Sequence, residues 1–306
     1  MLNEQYRMHP EISHFPRHIF YGGTLKDGPN VQNEQYGNPL RAVVNCAVPA
    51  FKPLTILDLD STEERGGTSL SNRQEGQLAV FLYQKLKEYA RDLCTKSKVA
   101  IITPYAQQVH LLRRLFKDAL GPRYEDFVEI NSVDAFQGRE ANIVIFSAVR
   151  AAGSKGIGFL SDVRRMNVAL TRAKHFLFVI ARCQSIVVNP YWRDLVQHAR
   201  ETHSVLRVPK LDNRGQQLFA DPTSWKLEGG PPKKQKLPES FVEEEGEIVL
   251  RKPPPPPPPP KRKPADPRKP KTASTSDYKE SRPAILDSPA KAIDPRRARR
   301  KATNGK

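Results

Sequence analysis

Four short stretches concentrate the side chains that could do chemistry. They are Gln5-Tyr6-Arg7-Met8-His9-Pro10, then Thr103-Pro104-Tyr105, then Asn131-Ser132-Val133-Asp134-Ala135-Phe136-Gln137-Gly138-Arg139-Glu140, and last Asn167-Val168-Ala169-Leu170-Thr171-Arg172-Ala173-Lys174. Arg7 and Arg172 carry permanently charged, forked donors, the side chains best matched to phosphate or carboxylate oxygens. Thr103, Tyr105 and Ser132 offer hydroxyls, and Glu140 offers an acceptor-only carboxylate. Singly, these are weak signals: an arginine on a helix is usually a solvated or ion-paired surface residue, and Gln137-Gly138 is often only a turn. In this order along one chain they are specific. Metal chemistry is not indicated, because His14 and His18 are four apart but separated by Pro16, with no further ligand cluster nearby. Cys46, Cys94 and Cys183 lie far apart without a C-x-x-C pair, so neither a disulfide framework nor a cysteine-rich zinc site is indicated.

The elements that must position these groups alternate between apolar runs and helical stretches. Leu54 to Leu57, Val99 to Ile102, Phe127 to Ile130, Ile143 to Phe146 and Phe176 to Ile180 read as strands. Between them, Asn72 to Leu93 has helical apolar spacing behind a Ser71/Gln74 capping box, Gln107 to Leu120 stops at Gly121-Pro122, and Val163 to Ala173 is helix-like. Strands apolar on both faces and separated by helices predict an α/β domain: a parallel sheet with helices on both faces. Ligands of such sheets usually sit beyond the carboxyl ends of the strands, so chemistry is expected in the loops there.

Composition divides the 306 residues. Lys and Arg outnumber Asp and Glu by 50 to 33, a formal +17 that suits a polyanionic partner. Residues 231–306 hold 20 of the basic and 10 of the acidic residues and 17 of the 28 prolines, so the excess charge is concentrated in a tail. Eight consecutive prolines, Pro253 to Pro260, favour polyproline II, and their polar surroundings bury too little to offset ordering entropy. The reading is a domain over 1–210 and a disordered, basic, proline-rich tail over 211–306. The clusters Lys233 to Lys236, Lys261 to Lys263 and Arg296 to Lys301 have the form of nuclear import signals, the proline run that of a docking motif or spacer, and Ser288-Pro289 that of a phosphorylation point. The basic clusters lead to the expectation of a nuclear location; no run is long and apolar enough for a membrane span, so no membrane partner is expected.

The four stretches closely resemble the second-half motifs of superfamily 1 helicases of the up-frameshift type: Gln5 to Pro10 the fourth motif, Ser132 to Glu140 the fifth, Arg165 to Lys174 the sixth. Gly156 to Asn167 and Tyr191-Trp192-Arg193-Asp194-Leu195 look most like senataxin-type members, and the resemblance covers residues 1 to about 205. It implies a RecA-like (P-loop NTPase-type) second motor domain. Arg7 and Arg172 match arginine fingers that stabilise the charge spreading over a transferred γ-phosphoryl group. Gly138 falls within the fifth motif, Glu140 matches the acceptor for the ribose of ATP, and Tyr6 the aromatic that stacks near its base. Thr103, Pro104, Tyr105, Ser132 and the backbone of Val133 match the part of the groove that holds single-stranded RNA or DNA through its backbone, a mode that carries no sequence information. The implied cofactor is ATP with Mg²⁺, bound mainly by a first domain.

That first domain would bring a Gly-Lys-Ser/Thr loop and an Asp-Glu pair, and neither is in this sequence, whose one Gly-Lys is Gly305-Lys306. The expectation is a fragment or short form of a larger 5′-to-3′ helicase, inactive by itself, whose partners are single-stranded RNA or DNA, RNA-DNA hybrids, the missing RecA-like domain and a protein that binds proline motifs. The alternative is a non-enzymatic nuclear adaptor that binds RNA or proteins. One local departure from the family is Ala181, where glycine is common.

Overall fold

The computed structural model describes residues 3–38, 40–90, 98–152, 156–211 and 218–228. The basic clusters and proline run of the tail, and the expected end of a helix at Leu93, lie outside them. In chain order the elements are β1 (Glu4–Gln5), α1 (Pro10–Tyr21), β2 (Lys26–Asp27), α2 (Pro29–Gln32), α3 (Leu40–Ala47), β3 (Leu54–Asp58), β4 (Glu64–Gly66), β5 (Ser69–Ser71) and α4 (Arg73–Tyr89). They continue with β6 (Val99–Thr103), α5 (Ala106–Leu120), β7 (Val128–Ser132), β8 (Ala141–Ser147), α6 (Val163–Leu170), β9 (Ala173–Ala181), α7 (Cys183–Ile186), α8 (Pro190–Glu201), β10 (Val205–Arg207) and β11 (Lys226–Leu227).

Seven strands form the central sheet in the order β11-β10-β3-β9-β8-β6-β7, parallel throughout except that β11 runs antiparallel to β10. Successive side chains of a strand point to opposite faces, which sorts the apolar runs into two cores. Leu57, Ile101, Ile145 and Phe178 meet Leu82 of α4 and Phe116 of α5 on one face. Ile56, Ile102, Val144 and Val179 meet Phe15 of α1 and Trp192 of α8 on the other. This is the expected α/β sheet covered on both faces.

Local details differ from the sequence reading. The start of α4 is capped by Asn72, whose Oδ1 accepts from the N–H of Glu75 at 3.1 Å; Ser71 belongs to β5, and Gln74 Oε1 accepts from the N–H of Thr62 at 2.9 Å. The helix read as Val163 to Ala173 ends at Leu170, because Ala173 opens β9 and Thr171-Arg172 are needed for the turn. Ala181 is buried extended backbone at the end of β9, a position that does not require glycine. Beyond residue 210, Phe219 and Trp225 are buried in the same core as Phe51 and pack at a tilt beside Phe81, with ring centroids 5.7 and 6.5 Å away.

Candidate functional site

The turn that carries Arg7 is built by a glutamine. Gln5 Oε1 accepts from the N–H groups of Arg7 at 3.0 Å and Met8 at 2.7 Å, while its Nε2 donates to Met8 O at 2.9 Å and to Asp27 Oδ1 at 2.6 Å. The Tyr36 hydroxyl donates to the carbonyl of Arg7, and the N–H of His9 donates to Lys174 O at 2.8 Å, joining the turn to the start of β9. The Tyr6 ring stands more than half exposed, lying so close to Gly28 that a Cβ there would come within 2.4 Å of it. His9 and His175 are both pushed down to about 4, chiefly by burial and then by the Arg41 charge, so near neutral pH they add no charge beside the arginine.

Arg7 meets residues far away in sequence. Its Nε lies 2.6 Å from Glu140 Oε2, its Nη1 donates to Thr171 O at 3.1 Å, and Lys174 Nζ holds the other Glu140 oxygen at 2.5 Å. Hydrogen bonds from Lys174 and then Arg7 hold the Glu140 carboxyl below its usual range. Arg172 folds back on the end of α6, donating to Val168 O at 2.8 Å, Thr171 Oγ1 at 2.8 Å and Arg139 O at 3.3 Å. Burial, followed by the nearby Arg7 charge, lowers the affinity of Arg172 for its proton. Two guanidiniums that disfavour one another fit a site for a multiply charged anion, because an anion between them would relieve the repulsion. Gly138 precedes Glu140 in left-handed backbone at φ +82°, with open space where a Cβ would go, so the turn requires its glycine.

This cluster is at the opposite end of the sheet from where the sequence reading looked. Glu140 immediately precedes β8 and Arg172 immediately precedes β9, so both sit at amino ends of parallel strands. The loop 133–140 makes this placement possible by running from the carboxyl end of β7 to the amino end of β8. Thr103, Pro104, Tyr105, Ser132 and Val133 do lie at the carboxyl ends of β6 and β7, which pair in register at Thr103 and Ser132.

Of those five, three are turned inward. Thr103 is fully buried, its hydroxyl without a hydrogen-bond partner among the described residues; Val133 is buried as well. Tyr105 is buried too, donating from its hydroxyl to Ile157 O at 3.2 Å, and its ring forms part of the wall of an open groove of about 760 Å³. Pro104 and Ser132 keep partial exposure, and Ser132 Oγ accepts from the N–H of Ala135 at 3.2 Å. The Thr103 and Tyr105 hydroxyls are thus turned away from solvent, while the Tyr105 ring lines the groove.

Sequence reasoning missed the buried polar network behind that groove. Glu75 is completely buried in α4; its Oε2 accepts from Ser147 Oγ at 2.7 Å and from the N–H of Val149 at 2.8 Å. Asn72 Nδ2 reaches Glu75 Oε1 at 3.2 Å and the carbonyl of Val149 at 3.1 Å. Val149 is thereby held at φ +70°, costly for a β-branched residue, just before Arg150 enters the groove. An Asn-x-x-Glu pair at a helix start was the available signal. His14 and His18, four apart in sequence, are joined by His198, which no spacing pointed to: His14 stacks on His198 at 4.9 Å, and among the described residues no group of three or more His, Cys, Asp and Glu side chains could hold a metal ion.

Residues 1–184 match a protein family described as an AAA domain. The chain belongs to this family, as a senataxin-like superfamily 1 helicase region. A probable helicase of Dictyostelium discoideum is 42% identical to this helicase region over 214 residues, covering 69% of the chain and 21% of the relative. Helicase sen1 of Schizosaccharomyces pombe is 34% identical over 250 residues, 77% of the chain and 14% of the relative. Probable helicase senataxin of Homo sapiens is 34% identical over 213 residues, 68% of the chain and 7% of the relative. The helicase region thus spans about a fifth or less of the length of these relatives. No helix among its described residues is long and apolar enough to cross a membrane.

Proposed function

We propose that this helicase region is the second motor half of an ATP-dependent, 5′-to-3′ helicase acting on single-stranded RNA or DNA in the nucleus, and that a first RecA-like domain supplies the phosphate loop and the Asp-Glu pair that holds Mg²⁺. The observation that carries the reading is the convergence of Arg7, Glu140 and Arg172, drawn together across 165 residues of chain at the amino ends of the central strands β8 and β9. A non-enzymatic adaptor would not need that convergence. Bound ATP supplies the phosphoryl group whose transfer the motor harnesses. Arg7 and Arg172 act as the arginine fingers, giving forked donors to the charge that develops on the γ-phosphoryl oxygens. Glu140 accepts from the ribose once Arg7 leaves it for phosphate, Lys174 keeps that carboxylate charged, and Tyr6 offers its exposed ring to the base. RNA-DNA hybrids and a protein that recognises the proline run are further partners of the same proposal.

The deciding experiment joins residues 1–306 to a first domain of the family and measures ATP turnover. Arg172→Ala is expected to lower turnover by about 10³-fold. Arg172 also binds carbonyls at the end of α6, so Arg172→Lys is the control that retains the charge. A large loss in the lysine variant as well, with unchanged thermal stability, identifies the forked geometry as the active feature. Unchanged turnover in the alanine variant would remove the arginine-finger assignment.

A further inference from the structure

Scattered apolar residues are ordinary on protein surfaces, so an exposed phenylalanine means little unless its surroundings are unusual. Phe159 is 51% exposed inside the groove of about 760 Å³ at the carboxyl end of the sheet. It sits in a single helical turn, Gly158–Ser161, that is fixed on three sides. Leu160 is buried, and its carbonyl accepts from Trp192 Nε1 at 2.8 Å. Gly158 takes φ +53° so close to Tyr105 that a Cβ would lie 3.2 Å from the tyrosine hydroxyl, and the Tyr105 ring meets Phe159 edge-on at 5.6 Å. The phenyl ring is thus held in place before any ligand arrives, which lowers the entropic cost of using it.

Of the three arginines that line the groove, two are committed to carboxylates and one is not. Arg165 is fixed by two 3.0 Å hydrogen bonds to Asp134 and lies over the Phe159 ring, 5.2 Å from its centroid. Arg150 pairs with Glu63 at 3.4 Å, and the same carboxylate also accepts from the N–H groups of Ala151 and Ala152, so Glu63 has little charge to offer a ligand. Asp162 is occupied by the N-terminus of α6. Arg65, exposed on β4 along the same groove, makes no ion pair among the described residues. An aromatic face beside an unneutralised arginine is the pairing that holds one nucleotide of a single strand, by stacking its base and meeting its phosphate.

We propose that Phe159 stacks on a nucleobase of a single-stranded nucleic acid and that Arg65 holds a neighbouring phosphate of the same strand. This rests on the groove belonging to a helicase motor, and it replaces the buried hydroxyls of Thr103 and Tyr105 with exposed groups as the strand's contacts.

The test uses the full 306-residue chain and fluorescence anisotropy with two labelled strands of equal length: about a dozen thymidines, and the same backbone with abasic sites throughout. Phe159→Ala is expected to weaken thymidine binding on the order of tenfold and to leave abasic binding unchanged, whereas Phe159→Trp retains both. Arg65→Ala is expected to weaken the two strands alike, since phosphates are common to both. The basic tail contributes equally to every comparison. If Arg65→Ala weakens both strands and Phe159→Ala neither, or Phe159→Ala weakens both equally, stacking is overturned while the groove reading stands. If neither substitution changes either affinity, the strand does not lie in this groove and the proposal falls, while the motor reading is decided separately by the ATP turnover of Arg172→Ala.

Discussion

A carboxyl group sealed inside a protein has to choose between desolvation and its donors, and Glu75 is the side chain where that choice has a measurable consequence. Burial dominates and pushes its pKa up to about 8, although Ser147 Oγ and the N–H of Val149 both favour the charged form. Because the folded pKa exceeds the unfolded one, the folded state binds the extra proton between roughly pH 4.5 and 8. The contribution to stability is complete below the lower limit and is lost as pH rises through the upper one. Urea unfolding midpoints are therefore expected to fall from about pH 5 to about pH 8, and Glu75→Gln, which cannot ionise, is expected to flatten that slope. An unchanged slope in the variant would mean that another group titrates there. Glu140 has the opposite sign, since Lys174 and Arg7 lower its pKa, but its side chain is 41% exposed and the stability at stake is at most about 1 kcal/mol. At this scale the sequence showed identities better than orientations. Arg7, Glu140 and Arg172 could be singled out because their types suit phosphate chemistry, while the inward turn of Thr103 depends on neighbours that no local pattern displays.

The elements explain why the two candidate ends of the molecule are rigid. Trp192 of α8 is fully buried, stacks on Phe146 of β8 at 5.7 Å and donates to Leu160 O, so one side chain connects a helix, a central strand and the turn bearing Phe159. Trp192→Phe retains an aromatic filler but leaves the Leu160 carbonyl unsatisfied in the core. A loss of about 1–3 kcal/mol is expected in chemical denaturation, with Trp192→Leu costing more because of the cavity it opens. Equal stability of wild type and the phenylalanine variant would show that water replaces the indole N–H. The five strands read from apolar runs are all present in the seven-stranded sheet, and four of them are internal strands, which have to be apolar through the stretch buried on both faces. What escaped were short pieces, such as β4, β5 and β10, where three residues carry no periodicity. The cap of α4 was misassigned by one residue: Ser71 and Asn72 are both good capping types, and the choice is made by Ser61 and Val149, which give the Asn72 amide its remaining partners.

At the scale of the whole molecule, one sheet separates two kinds of chemistry. The arginine cluster occupies the amino ends of β8 and β9 and the aromatic groove the carboxyl ends, a division invisible in sequence because Ser132 and Glu140 belong to one short motif yet end up across the sheet. The sheet's far edge was also hidden. A composition change near residue 230 is plain, but a family resemblance ending near residue 205 drew the boundary to 210, whereas Phe219 and Trp225 bury themselves on Phe81 and Phe51 and β11 closes the edge of β10. Two aromatic side chains removed from water contribute roughly 3–6 kcal/mol between them, a large share of the 5–15 kcal/mol that ordinarily holds a domain folded. A chain ending after residue 210 is therefore expected to unfold at least several degrees below one ending after residue 230 and to expose apolar surface to a hydrophobic dye. Phe219→Ala with Trp225→Ala in the longer chain is expected to reproduce most of that loss. Equal melting temperatures for the two lengths would show that residues 218–228 lie on the core without stabilising it, and would return the domain boundary to 210.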